Sequence, residues 1–365
     1  MRLTIEKRRT TSGFTSFLVG LVAVVLALLI SGIVLAIMGY NPFHIFGTAY
    51  SKTYLTWNGI SECILSFVPL LLCAPCVAVG AKAGLWNIGV DGQFYVGAII
   101  ATGVALTIPN APGFVQIILM IVLGGLGAGI FCYLAVLPKL HFGISEILTT
   151  TLLNSVVLYF VRWIVYSSGW KDSTTIAAQS RNISPQAELP ILVQGTRLHL
   201  GVIICILIII AIRFYLKRTV PGFELQLVGS NARGAKYSGI DIKKTFIIAM
   251  IRSGAMAGTA GALEISGGTH RLQATISADY GYSAFAIAWV TRGNIYAIAG
   301  VSFLFAGLLV AGYKMQMMSL PYAVTTMLEG LILVLVLAGD LLCYYHNGFK
   351  KSGKDAKAAA AAQEA

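Results

Sequence analysis

The stretch Ala83-Gly84-Leu85-Trp86-Asn87-Ile88-Gly89-Val90-Asp91-Gly92-Gln93 decides how this chain folds. It is polar and glycine-rich, and it lies between two long apolar runs. Hydrocarbon offers no hydrogen-bond partners, so non-helical backbone and ionisable groups at membrane depth survive only inside protein or along a water-filled path. A segment with Asn, Asp, Gln and three Gly at that depth reads as part of a permeation or substrate route.

The rest of the chain supplies the membrane around it. The 365 residues are 57% hydrophobic and 11% charged, the composition of a polytopic membrane protein. A helix needs roughly 20 apolar residues to cross the bilayer core, and the runs 14–38, 115–137, 295–313 and 324–342 qualify alone. The run 201–216 needs a few flanking residues. The first run follows Arg2, Lys7, Arg8 and Arg9 as a signal peptide would, yet no small-x-small cleavage site comes after it. It also exceeds the apolar length of a cleaved signal, about 7–15 residues. It reads as a retained helix that starts in the cytoplasm.

A formal charge of +12 suggests nucleic acid until its distribution is read. Fourteen of the 26 basic residues lie at the N-terminus, in 217–244, and in the tail after Phe349. Excess Lys and Arg on short flanking segments mark the cytoplasmic side, so these three regions are expected to face inward. The loop 167–198 holds only Lys171, Arg181 and Arg197 against Asp172 and Glu188, and is expected outside. Parity then fixes the count. Six crossings (14–38, 60–81, 92–108, 115–137, 145–166, 199–216) join the two inner positions, and three plain ones follow (246–266, 295–313, 322–342). A tenth is required between 267 and 290, where Asp279, Gly281 and Ser283 point to a broken or tilted helix. The expectation is an all-α polytopic membrane protein of about ten transmembrane helices. Residues 1–13 form a cytoplasmic N-terminus, 14–342 the membrane domain with a cytoplasmic loop at 217–245, and 343–365 a cytoplasmic tail. Its end, from Lys350 on, is a solvated extension. The aromatic segment 39–61 suits the outer headgroup zone. Gly125-x-x-x-Gly129 and Gly254-x-x-x-Gly258 allow helix backbones to approach closely.

Soluble-enzyme motifs are absent: there is no phosphate loop, no H-E-x-x-H and no G-x-S-x-G. Cys73 and Cys76 have the spacing of a redox or zinc pair but lack a second pair, so they read as small buried hydrophobes. No metal site is expected. The five histidines are scattered, mostly at predicted helix ends, and read as interfacial polar residues. The polar groups inside or beside spans are Asn87, Asp91, Gln93, Glu146, Asn154, Glu264 and Glu329. Glu264 and Glu329 stand alone on apolar helices, where a helix–helix hydrogen bond competes with a functional role. Glu146, Thr150 and Asn154 share one helix face, a stripe that lines either a path or a packed seam. The segment 228–240, VGSNARGAKYSGI, reads as a small helix capped by Ser230 or Asn231 and stopped at Gly239, a natural docking surface for a soluble partner.

Four motifs in order, AGLWNIGVDGQ at 83–93, GISEILTTTLLN at 143–154, VGSNARGAKYSGI at 228–240 and SGAMAGTAGALE at 253–264, resemble permease subunits of bacterial ABC importers. The branch is that of nucleoside and simple-sugar permeases, with branched-chain amino acid permeases as more distant relatives. The resemblance runs from about residue 60 to 340. It implies a ten-helix type II importer architecture in the bacterial plasma membrane and pairing with a second permease, identical or homologous. It also implies two cytoplasmic ATP-binding subunits docked on 228–240 and an extracytoplasmic substrate-binding protein. ATP and Mg would then be bound by the ATPase partner, and no cofactor is expected in this chain. Membrane lipids complete its surroundings, and no nucleic acid is expected. Asn87, Asp91, Gln93, Glu146 and Asn154 become pathway or motif-supporting residues, and Gly229, Asn231, Ala235 and Gly239 the ATPase contact. This sequence departs from the family pattern in having Asp91 where Glu is usual and Ser145 where Asn is frequent. At 289–295 it reads Trp-Val-Thr-Arg-Gly-Asn-Ile, without the family's proline. The NIG-x-(D/E)-GQ form leans toward nucleosides or purines as the solute, with a monosaccharide such as ribose or galactose, or riboflavin, as alternatives. The rival from another class is an ion-coupled secondary transporter carrying its coupling charge on Asp91, Glu146, Glu264 or Glu329.

Overall fold

The computed structural model describes residues 2–7 and 13–350. Thirteen α-helices follow one another: α1 Gly13–Ile37, α2 Pro42–Tyr54, α3 Trp57–Lys82, α4 Val90–Thr107, α5 Gly113–Phe142, α6 Glu146–Ser167, α7 Gly201–Arg218, α8 Val220–Ser230, α9 Ala232–Tyr237, α10 Ile242–Leu263, α11 Tyr280–Val290, α12 Ile295–Gln316 and α13 Tyr322–Tyr344. The interfacial segment expected at 39–61 contains α2. Two short strands, β1 Arg2–Lys7 and β2 Tyr345–Lys350, pair antiparallel near the chain ends, an element that hydropathy did not indicate. The solvated extension expected from Lys350 on lies outside the described residues apart from Lys350 itself, which ends β2.

Among the described residues, eight helices are long and apolar enough to cross a membrane: α1, α3, α4, α5, α6, α10, α12 and α13. The other two segments expected to cross, 199–216 and 267–290, are not among these eight. The 18-residue α7 carries Arg213, Lys217 and Arg218 toward its end, where long cationic side chains can reach the headgroups. Its start lies beside the loop 168–199, through Leu200 N–H to Pro190 O at 3.0 Å, and its end beside α8. Residues 270–290 form an irregular leg followed by α11, whose 11 residues span only about 16 Å.

The chain forms two compact units. One comprises the residues up to Ile45 and from Leu320. In it α1 and α13 pack antiparallel, with Gly339 against Val19 and Ala23. The other, Phe46–Ser319, holds two inverted three-helix halves. One face of this unit, its basic side, carries the turns after Lys82, Phe142 and Val290 together with α8 and α9. α3 runs toward it and α10 away from it. α4 and α5 pack on α10, while α11 and α12 pack on α3, and α3 and α10 pack on each other. Each half therefore wraps the first helix of the other, the arrangement of an inverted repeat.

Small residues permit this. At the α5–α10 crossing the backbones approach closely beside both small-residue motifs: a Cβ on Gly258 would lie 2.5 Å from Gly124 O, one on Gly254 2.5 Å from Ala128 O, and one on Gly129 2.9 Å from Ile251 O. The loop 168–199 is pinned to the end of α10 and to the leg. Ser180 N–H donates to Leu272 O (2.9 Å), Ile183 N–H to His270 O (2.9 Å) and Leu189 N–H to Ser266 O (2.7 Å). Without a proline, the turn after α11 is made by Arg292 (φ 52°) and Gly293 (φ 66°).

Candidate functional site

The first broken crossing begins where α3 stops. Leu85 N–H donates to Gly80 O and Gly84 N–H to Ala81 O, with Gly84 at φ 79°, the geometry of a glycine-closed helix end. The chain then turns back into the protein as a leg from Leu85 to Gly89. Its one amide side chain, Asn87, is fully buried and bonded on every side. Asn87 Nδ2 donates to Gln93 Oε1 (2.8 Å) and to Ser253 Oγ (2.8 Å). Gln93 Nε2 returns a bond to Asn87 Oδ1 (2.9 Å), which also accepts from Gly89 N–H (3.2 Å). Ser253 Oγ donates to Cys76 O (2.9 Å), so α3, α4 and α10 share one closed network. Such a network in a low-dielectric core specifies a single arrangement.

The second broken crossing meets the first at Asp91. Asp91 Oδ1 accepts from Ser277 Oγ (2.7 Å) and from the Gly281 amide (2.8 Å). Asp279, at the N-cap position of α11, makes no side-chain cap bond, so the carboxylate from α4 takes over that task across the repeat. A negative charge is favoured there by the helix dipole. The approach is close: a Cβ on Gly281 would lie 2.5 Å from the Asp91 amide nitrogen. Tyr95 Oη completes the junction, donating to Ala274 O (2.8 Å) and accepting from Ser277 N–H (3.2 Å).

The α6 stripe packs as a seam on the first leg. Glu146 Oε1 accepts from Trp86 N–H (3.0 Å), and its other oxygen pairs with Lys139 Nζ. Thr150 Oγ1 lies 3.4 Å from Ile88 N–H, and Asn154 Nδ2 donates to Tyr282 Oη (3.2 Å). The structure thus brings Asn87, Asp91, Gln93, Glu146 and Asn154 together, all buried. Glu264, at the π turn Glu264–Thr269, is apart from them.

The segment 228–240 divides between α8 and α9. Asn231 caps α9 through Gly234 N–H (2.9 Å), and Gly239 closes it at φ 80°. Gly229 lies against the end of α3, where a Cβ would sit 2.1 Å from Lys82 O. Ala235 is buried, whereas Gly229, Asn231, Gly239 and Tyr237 are exposed, Tyr237 at 94%. Trp86 links the two regions: its ring centroid lies 5.0 Å from that of Trp289 and 5.8 Å from that of Phe285. Reading the sequence did not single out Trp86, Ser253, Ser277 or Tyr282. Trp86 and Ser253 lie inside the 83–93 and 253–264 motifs, and Ser277 and Tyr282 in the polar stretch 267–290.

Among curated proteins, the glucose ABC transporter permease protein TsgB13 of Haloferax volcanii is 27% identical over 100% of this chain and 99% of its own length. The nucleoside ABC transporter permease protein NupB of Lactococcus lactis is 30% identical over 80% of this chain and 81% of its own. The guanosine ABC transporter permease protein NupP of Bacillus subtilis is 28% identical over 92% and 97%. No solved structure matches. The family model described as branched-chain amino acid transport system, permease component, matches residues 59–337. The chain therefore belongs to that family, the multi-pass plasma-membrane permease subunits of ABC importers.

Proposed function

We propose that this chain forms half of the membrane pathway of an ATP-driven importer for nucleosides or related purines. The observation that carries the coupling half of this reading is the contact of Gly229 with the end of α3, beside an exposed α9. A soluble ATPase seated on α8 and α9 would press on the turn that leads into the first broken crossing. The basic residues around it, Lys217, Arg218, Arg233, Lys236, Lys243 and Lys244, support a cytoplasmic location for that side. ATP binds the partner with different affinity in outward-open and inward-open states, and that difference drives the cycle. A second permease completes the pathway, and a substrate-binding protein approaches the side carrying 168–199.

Two relatives named for nucleoside and guanosine transport support the solute. The full-length match to a glucose permease favours a second reading, a monosaccharide in the same role. Ion coupling is less well supported. Both donors at Asp91 Oδ1 come from the second half of the fold, and Glu146 is paired with Lys139, so both carboxylates are engaged.

The test is uptake of labelled guanosine and labelled glucose by cells with and without the chain, under ATP depletion and under an ionophore. Chain-dependent guanosine uptake that stops on ATP depletion but persists with the ionophore is expected. Uptake that follows the ion gradient would reject the ABC mechanism, and glucose uptake alone would reject the nucleoside.

A further inference from the structure

The irregular leg leading into α11 exposes Thr275, Ala278 and Asp279. From the length of α11, Asp279 lies about 16 Å from the basic-side turn, near the middle of a hydrocarbon core about 30 Å thick. An exposed carboxylate on non-helical backbone at that depth cannot face lipid. The face that bears it looks onto water or onto another protein.

That face continues along α11. Tyr282, Phe285 and Trp289 follow Asp279 at helical spacing, while Ala284, Ala286, Ile287 and Ala288 are buried behind them. Tyr282 is 46% exposed, and Phe285 and Trp289 are half-buried. Phe285 and Trp289 stack with centroids 6.3 Å apart at 30°, and Trp86 closes the row against both. The Tyr282 hydroxyl is held by Asn154. The row is a fixed series of aromatic surfaces descending from mid-membrane to Gly84, beside Gly229.

We propose that Tyr282, Phe285, Trp289 and Trp86 form the surface along which the base of a nucleoside passes, stacking on successive rings. This rests on the proposed function above. A purine has two apolar faces and a polar edge, so stacking binds it while leaving the edge to water. Several weak stacking positions suit a pathway better than one deep pocket, because the solute must leave. In this view Asn154 is a positioning residue for Tyr282.

The test is single-cysteine labelling of the assembled transporter in inverted membrane vesicles, with a charged, membrane-impermeant methanethiosulfonate. Cys63, Cys73, Cys76, Cys132 and Cys205 are buried, so background is low once Cys343→Ser is made. Tyr282→Cys, Phe285→Cys and Trp289→Cys should react, and Leu126→Cys, 55% exposed on an apolar face of α5, should not. Guanosine should slow labelling and glucose should not. Trp289→Ala should lower guanosine uptake about tenfold, within the range for losing one base–ring stack, and Trp289→Phe should restore most of it. Labelling as slow as at Leu126→Cys, or labelling indifferent to guanosine, or protection by glucose alone, overturns the proposal. If the parent protein takes up guanosine normally while these fail, the aromatic row is at fault. If the parent takes up none, the substrate reading has failed instead.

Discussion

Removing the carboxylate of Asp91 should loosen α11 specifically. Asp91 Oδ1 holds two donors, Ser277 Oγ at 2.7 Å and Gly281 N–H at 2.8 Å, in a site closed to solvent. A hydrogen bond to a charged group contributes about 1.5–3 kcal/mol, and a buried donor left unpaired costs about 1–3 kcal/mol. Asp91→Ala is therefore expected to destabilise the protein by about 3–5 kcal/mol. Asp91→Asn keeps an acceptor oxygen but loses the charge, which roughly halves the strength of each bond, and should cost about 1–2 kcal/mol. At roughly 2 °C per kcal/mol, thermal unfolding of the detergent-solubilised protein should fall by about 6–10 °C for Ala and about 2–4 °C for Asn. Hydrogen–deuterium exchange of the peptide covering 277–284 should accelerate in both variants, more in Ala. An Ala variant within a degree or two of the parent would refute the capping role. Equal losses for Asn and Ala would show that charge, not the acceptor, holds α11.

Asn87→Ala and Gln93→Ala break the same reciprocal amide pair, so in thermal unfolding the double variant should lose less than the sum of the singles, by about 1–3 kcal/mol; additive losses would mean the pair does not act as a unit. Gly229→Val places a side chain 2.1 Å from Lys82 O, and should leave the permease in the membrane while abolishing co-purification of the ATPase; retention of both docking and uptake would remove that seat. His199 is buried against the α10 π turn, with Nδ1 accepting from Gly201 N–H (3.1 Å), and desolvation first, then His270 and Arg197, lowers its pKa to about 4. The unfolded chain binds that proton more readily, so stability should be fully present above pH 6.5 and decline by about 3 kcal/mol as pH falls toward 4. His199→Gln should flatten that part of the pH–stability curve; an unchanged curve would assign acid lability elsewhere.

Most of the fold was legible because the bilayer restricts what a sequence can mean. Apolar length located the long helices, and the split of basic residues between loops demanded a crossing in 267–290 that hydropathy alone would have omitted. The structure holds an irregular leg and a short helix there, and no helix long enough to span, in keeping with the cost that Asp279, Gly281 and Ser283 would carry in a straight lipid-facing span. The π turn and the pairing of the leg with 180–183 left no such trace, since both depend on contacts between distant segments. The polar residues of the first motif stand out in the sequence by their cost in hydrocarbon. Their orientation was not legible, because a closed hydrogen-bond network and an open path use the same side chains. Glu146, Thr150 and Asn154 show this: one stripe could have lined a path, and in the structure it seals a seam. Tyr282, Phe285 and Trp289 went unnoticed because aromatic residues at helical spacing look the same whether they face lipid, protein or water.

The inverted halves constrain how the protein can move on the proposed function. In repeats that rock against each other, each half keeps its own packing and the interface between them slides. Here α4 and α5 pack on α10, α11 and α12 pack on α3, and Asp91 of one half caps the helix of the other. Sliding the halves would unpair Gly281 and Ser277 and separate the small-residue crossings of α5 and α10, so the cost falls on buried contacts throughout. The movement that opens the pathway must then be of the whole 46–319 unit against the second permease, a rigid-body rotation about an interface. Tying the halves together with a short bismaleimide between Tyr95→Cys and Ala274→Cys, positions joined in the parent by a 2.8 Å hydrogen bond, should therefore leave ATP-driven uptake running. Loss of uptake on crosslinking, recovered in the unlinked double variant, would show that the halves do move against each other and that the interlock is broken in each cycle.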